Sequence, residues 1–137
     1  MPMLQFLKLY AAAAAVFFAL DIAWLGYVAR GIYAEQMGHL TRADVQWVPA
    51  VLFYLVYVAA IIVLCVKPAL ERDSVGHALA LGALFGLAAY AAFDLTGLAL
   101  LKDFPLKGAL VDLTWGTFVT ATVSGTSVVI GRWLQAA

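Results

Sequence analysis

The chain has 137 residues, of which 66% are hydrophobic and only 12% are charged, and its formal net charge at pH 7 is zero. Soluble domains carry about 25% charged residues, so this composition excludes an ordinary soluble domain. The balanced charge, with no basic patch, gives no sign of binding to nucleic acid or to anionic lipid headgroups.

Four apolar runs each approach the roughly 20 residues that a helix needs to cross about 30 Å of hydrocarbon. They cover approximately residues 8–28, 48–66, 77–101 and 106–130. The first run is too long for a signal peptide, contains Asp21 and Trp24, and lacks a clean cleavage site, so we expect it to be retained. Because the runs leave no room for a soluble domain, we predict a single transmembrane domain over residues 1–137.

The link after the first run, residues 30–46, is amphipathic at helical spacing. It predicts a short interfacial helix, or an extension of the first span, that ends near Gly38. Thr41 and Asp44 resemble a capping box ahead of the second span. In the later links, Pro68 is expected to end the second helix. Asp103 is expected to cap the fourth, with Pro105 in its first turn.

The fold class predicted from these elements is all-α: a four-helix antiparallel transmembrane bundle with up-down-up-down topology, because the second and third links are short. Its orientation is undetermined, because Lys and Arg divide four against four between the two sides. Two interpretations remain open. Features other than charge fix one orientation, or the protein inserts both ways and forms an antiparallel homodimer.

Three aspartates, Asp21, Asp94 and Asp112, lie inside the predicted spans. Alternating helix directions put all three in the same half of the bilayer. A carboxylate at this depth costs a few kcal/mol on insertion scales, so it normally faces a bundle interior and marks a site for protons, ions or a polar ligand. Lys and Arg occur only at the ends of the spans or in the links, not at the depth of the three aspartates, so we expect the carboxyls to share protons.

Helical spacing supports an interior position for these carboxyls, because small and polar residues share their faces. In the third span the row is Gly82, Gly86, Tyr90 and Asp94, and in the fourth it is Asp112, Gly116, Thr120 and Ser124. The fourth span is also rich in Ser and Thr, too polar for a helix surrounded by lipid, although such hydroxyls can bond to their own helix.

Spans one and four share the pattern Asp-x-x-Trp, which puts each pair on one helix face. An indole N–H can donate to a carboxylate. The candidate ligand- or proton-binding residues are Asp21, Asp94, Asp112, Trp24, Trp115, Tyr90, Tyr54 and Thr96. In the alternative interpretation, the aspartates only bond to neighbouring Tyr, Trp or Thr side chains and hold the bundle together.

Metal and cofactor chemistry finds little support in the sequence. The single Cys65 excludes an intramolecular disulfide, and no Cys–His metal spacing occurs. His39 and His77 lie near opposite faces, which does not suit axial haem or zinc ligation. The sequence identifies no cofactor.

Several separated motifs resemble the small bacterial predicted-membrane-protein family "domain of unknown function 2177". They are Leu20 to Gly26, Gly38-His39-Leu40, Leu52-Phe53-Tyr54, Tyr90 to Thr96 and Val111 to Gly116. The resemblance covers nearly the whole chain and implies a four-span, multi-pass protein of the bacterial inner (plasma) membrane. The resemblance implies no activity. It implies that the signature positions of the family, whose role it leaves open, are Asp21, Trp24, Asp94, Asp112 and Trp115.

Three functions follow from these residues. The leading hypothesis is binding or transport of a proton, a cation, or a small polar or cationic molecule, because buried acids and aromatic walls attract cations. The alternatives are a membrane-embedded enzyme acting on a lipid or isoprenoid through carboxylates or Mg²⁺, and a structural subunit of a membrane complex. The partners predicted from the sequence are the lipid bilayer and a second copy of the chain in a homodimer.

Overall fold

The computed structural model describes residues 1–136, and within them the chain folds into helices joined by short links. The helices are α1 (Met3–Val28), α2 (Arg30–Met37), α3 (Trp47–Glu71), α4 (Val75–Leu100) and α5 (Leu106–Ala136). The four long helices have the length and hydropathy needed to cross a membrane. The predicted fold class, an all-α polytopic bundle with a short helix after the first span, is confirmed.

Helix α5 forms the centre of the bundle and packs against α1, α3 and α4. Over its most apolar window 56% of α5 is buried, against 17–28% for the other three spans. Thr114 and Thr117 donate to carbonyls one turn earlier in the same helix. The high polarity of α5 is therefore tolerated for two reasons. Protein rather than lipid surrounds most of the helix, and its own backbone carbonyls accept hydrogen bonds from the hydroxyl groups.

The α4–α5 pair is the most extensively packed, and small residues make this possible. A Cβ atom on Gly82 would lie 2.7 Å from the Thr120 carbonyl oxygen, and one on Gly86 would overlap the Gly116 carbonyl. Only glycine allows backbones to approach this closely, as in other small-residue membrane contacts. The row of small residues expected on α4 thus lies against α5.

A wide π-helical turn, Trp24–Val28, ends α1, and the Ala29 amide donates to the Trp24 carbonyl across it. The chain then turns into α2, which ends at Gly38 as expected. Such wide turns within membrane helices often occur beside functional sites. Here the turn precedes α2, a short helix that packs against α5.

Three details of the helix ends differ from expectation. Pro68 does not end α3, because the π-helical turn Ile62–Val66 precedes it and re-routes the carbonyls that the proline ring would otherwise meet. Asp103 does not cap α5. It adopts a left-handed turn (φ 59°), and α5 starts at Leu106 beyond Pro105. Thr41 donates back to the Met37 carbonyl, so it closes α2 rather than capping α3.

The bundle is tight at one end and loose at the other. No residue in the first part of α3, 47–56, is buried, whereas seven residues of 57–69 are. The tight end contains Cys65, Val66 and Ala69, each at most 1% exposed. The first half of α3 therefore stands away from α4, and the resulting opening lies at the end that carries the aspartates.

Candidate functional site

The three aspartates lie at one depth. Asp94 precedes the end of α4 by nearly two turns, and Asp112 follows the start of α5 by the same distance. Asp21 lies about two turns before the end of α1 at Val28. With a rise of 1.5 Å per residue, each carboxyl is roughly 10 Å from the end of its helix.

Asp21 is fully bonded and joins three helices. Its Oδ2 accepts the Tyr54 hydroxyl proton at 2.6 Å, and its Oδ1 accepts the Trp115 indole N–H at 3.1 Å. The side chain is 7% exposed. A carboxylate with a donor on each oxygen is stabilised in its buried position, so Asp21 connects α1 to α3 and α5.

Asp112 receives its hydrogen bond from the interfacial helix. The Tyr33 hydroxyl donates to Asp112 Oδ1 at 2.7 Å, and the Trp24 indole donates to the Tyr33 oxygen at 3.2 Å. Burial raises the pKa of the Tyr33 phenol above its usual range, and the bond to Asp112 acts in the same direction. Tyr33 therefore remains a hydrogen-bond donor to Asp112 throughout the neutral range.

The two Asp-x-x-Trp pairs bond across the helix interface rather than within their own helices. Trp115 of α5 donates to Asp21 of α1, while Trp24 of α1 reaches Asp112 of α5 through Tyr33. The two indole rings stack between these chains of bonds, with centroids 4.5 Å apart. The arrangement is reciprocal, and it holds α1 and α5 together at the depth of the aspartates.

Asp94 differs from the other two carboxyls. It is 0% exposed, and neither of its oxygens has a hydrogen-bond partner among the described residues. The Asp112 carboxyl lies within interaction range of Asp94, and two carboxyl groups can form a hydrogen bond with each other only when one of them is protonated. A buried, unpaired carboxylate costs several kcal/mol, so this pair needs a proton or a cation to be stable.

Tyr90 and a lateral groove complete the site. Tyr90 packs on Gly116, where a Cβ atom would overlap its ring. It also lines a groove of about 330 Å³ whose other residues are Phe53, Ala89, Phe93 and Asp112. The groove gives Asp112 a route to the outside of the bundle.

The structure brings together seven of the eight residues that we selected from the sequence. Thr96 is the exception, because it is exposed and donates to the Ala92 and Phe93 carbonyls of its own helix.

Tyr33 is a site residue that the sequence did not predict. It lay in the amphipathic link, where a tyrosine looks like an ordinary interfacial residue, and only the chain turn after Val28 aims it at Asp112. Tyr57 of α3 also points inward, and its hydroxyl bonds to the Thr120 hydroxyl of α5 at 2.8 Å.

Within residues 1–136, no three His, Cys, Asp or Glu side chains converge closely enough to hold a metal ion. The carboxyls are distributed instead as one satisfied group, Asp21, and one close pair, Asp94 and Asp112. This donor set suits a proton or a singly charged cation better than Mg²⁺, which requires near-octahedral oxygen coordination.

Comparison with known proteins gives a family and no activity. The model of the family described as "Predicted membrane protein (DUF2177)" matches residues 6–129. No curated protein and no solved structure matches the chain.

Proposed function

The chain belongs to the DUF2177 family of predicted membrane proteins, and because the description of this family specifies no reaction, we propose a function from the geometry of the site. We propose that it is a transport protein that binds a proton at the Asp94–Asp112 pair and exchanges it for a cation. The observation that carries the proposal is Asp94, fully buried with both carboxyl oxygens lacking a partner among the described residues.

Physical chemistry supports a mobile rather than a structural occupant of this pair. A purely structural carboxylate is expected to resemble Asp21, with a donor on each oxygen. Asp94 lacks these donors, so its negative charge must be cancelled by something that the protein does not supply. A proton shared with Asp112 fulfils this need, and a cation that enters the site competes with it.

Location and oligomeric state belong to the same proposal. We propose that the protein lies in the inner membrane of a bacterium, because its separated motifs resemble a family of small bacterial membrane proteins. An antiparallel homodimer is the oligomer to test, because the basic residues divide equally between the two sides of the bundle.

The experiment is a cation-driven proton assay in liposomes. Purified protein is reconstituted with an acidic interior and a pH-sensitive dye, and Na⁺, K⁺, choline and tetraphenylphosphonium are added outside in turn. We expect at least one cation to release protons from wild-type liposomes, and none to do so with Asp94→Asn or Asp112→Asn. Asp103→Asn is the matched control, since asparagine tolerates the left-handed backbone at this link position.

Two results would overturn the proposal. One is proton release at the wild-type level from liposomes that contain the Asp94→Asn or Asp112→Asn variant. The other is wild-type liposomes that respond to none of the four cations more than protein-free liposomes do.

A further inference from the structure

The groove beside Asp112 opens sideways, between α3 and α4. Phe53 belongs to the first half of α3, and Ala89, Tyr90 and Phe93 belong to the second half of α4. Phe53 is 46% exposed and Phe93 is 60% exposed, so both rings stand at the mouth. Because these positions lie inside helices that have the length and hydropathy needed to cross a membrane, we expect the mouth to face the hydrocarbon of one leaflet rather than water.

The opening results from how α3 is attached. Its second half packs into the core through Val58, Ile61 and Val66. Its first half is attached to α1 rather than to α4, through the Tyr54 bond to Asp21 and the packing of the Tyr54 ring on Phe17 and Phe18. The separation of α3 from α4 at this end therefore follows from the packing, and it leaves an apolar entrance of about 330 Å³, within the size range of small-molecule sites.

The lining combines three aromatic rings with one carboxylate. Asp112 is the sole charged residue of the lining within the described chain. Behind it lies Asp94, completely buried and without a donor on either oxygen. Aromatic faces attract organic cations, and a partly desolvated carboxylate attracts them further. An anionic lipid would meet repulsion here, and a neutral lipid would leave the carboxyl pair without a counter-charge.

We propose that the cation of the exchange is an amphiphilic organic cation, with an ammonium-like or phosphonium-like centre on an apolar body, and that it enters from the bilayer through this groove. The inference rests on the proposed function and assigns its substrate class and route. The cationic centre lies against Asp112 between the faces of Tyr90 and Phe93. Its arrival releases the proton shared by Asp94 and Asp112, so one proton leaves for each cation bound.

The test is direct binding of tetraphenylphosphonium to the purified protein in detergent, measured by calorimetry in two buffers of different ionisation enthalpy. We expect wild-type protein to release close to one proton per bound cation. We expect Asp112→Asn to weaken binding by at least about tenfold. Tetraphenylborate, an anion of the same shape, should bind much more weakly than the phosphonium.

A matched pair of variants tests the groove itself. Ala89 lines the groove, whereas its neighbour Ala88 is exposed on the outside of the same helix. Ala89→Phe should reduce tetraphenylphosphonium binding by at least about tenfold, and Ala88→Phe should leave it unchanged. Phe93→Leu, at an exposed ring outside the buried core, should also weaken binding.

The outcomes separate the two proposals. Equal binding by the Ala89→Phe and Ala88→Phe variants overturns the groove, as does equal binding of tetraphenylphosphonium and tetraphenylborate to wild type. If tetraphenylphosphonium does not bind while another cation drives proton release that requires Asp94, only this inference is lost. If the phosphonium binds in the groove without releasing a proton, and no cation drives proton movement, the proposed exchange is lost instead.

Discussion

The indole rings of Trp24 and Trp115 lie face to face, with planes inclined by 2° and centroids 4.5 Å apart. One ring comes from α1 and the other from α5, and each indole N–H leads to a carboxylate of the opposite helix, directly to Asp21 or through Tyr33 to Asp112. The stack therefore does more than fill space. It sets the rotation of α1 relative to α5 at the level of the site.

Replacing Trp115 by Phe should destabilise the protein more than replacing Trp24 by Phe. Trp115→Phe leaves a buried Asp21 oxygen without its donor, a loss of about 1–3 kcal/mol. Trp24 donates to a tyrosine hydroxyl that keeps its bond to Asp112, so Trp24→Phe should cost less. Thermal unfolding in detergent measures both, with the exposed Trp133→Phe as a neutral control. Equal losses for Trp115→Phe and Trp133→Phe would contradict the assigned bond.

Gly86→Ala should disrupt the α4–α5 contact. The new methyl group would overlap the Gly116 carbonyl, which is backbone and cannot rotate away, so the helices must separate at a cost of about 1–3 kcal/mol. Gly31→Ala provides the control, because nothing lies within 4 Å of a Cβ atom there. In that helix alanine should be neutral or stabilising by up to about 1 kcal/mol. Resistance to denaturation in mixed micelles reports both changes, and a neutral Gly86→Ala would refute the packing.

One carboxyl of the Asp94–Asp112 pair should be protonated at neutral pH, because neither oxygen of the buried Asp94 has a donor within residues 1–136. Infrared difference spectroscopy should detect a protonated carboxyl band that disappears in Asp94→Asn. The exposed Asp73→Asn variant should retain the band. A spectrum with every aspartate ionised, in a preparation free of bound cations, would be incompatible with this prediction.

Tyr33 makes stability depend on pH in the alkaline range. Burial raises the pKa of its phenol, so the folded state holds the proton more tightly than the unfolded chain does. Its contribution is complete below the ordinary tyrosine pKa of about 10 and is lost as pH rises above that value. Unfolding in detergent at pH 8 and pH 11 should show a larger alkaline loss for wild type than for Tyr33→Phe. Identical losses in both proteins would rule out a titrating Tyr33.

Much of the fold could be predicted from the sequence because the bilayer imposes the length of each helix. Four apolar runs determine four spans, and short links make the neighbours antiparallel, which places Asp21, Asp94 and Asp112 at one depth. The small-residue rows also predicted the contact face of α4, since glycine spacing reflects backbone approach directly.

Other features depend on rotations and turns that spacing does not specify. The Asp-x-x-Trp pattern put each pair on one face but not opposite a particular partner, so the exchange between Trp115 and Asp21 was not predictable. Tyr33 reaches Asp112 only because the chain turns after Val28. Thr96 was a candidate residue and lies two positions after Asp94 in the sequence. Two residues along a helix, however, point about 200° apart, and its hydroxyl bonds to its own backbone.

The central position of α5 has a consequence for how the protein is made. The ribosome produces α1, α3 and α4 before the helix that all three pack against. Until α5 arrives, Asp21 lacks its indole donor and the glycine face of α4 lacks its complement. The first three helices must wait in the bilayer, or beside the insertion machinery, with these polar groups uncovered. Truncation ahead of Leu106 should therefore produce a chain that inserts but is degraded rapidly.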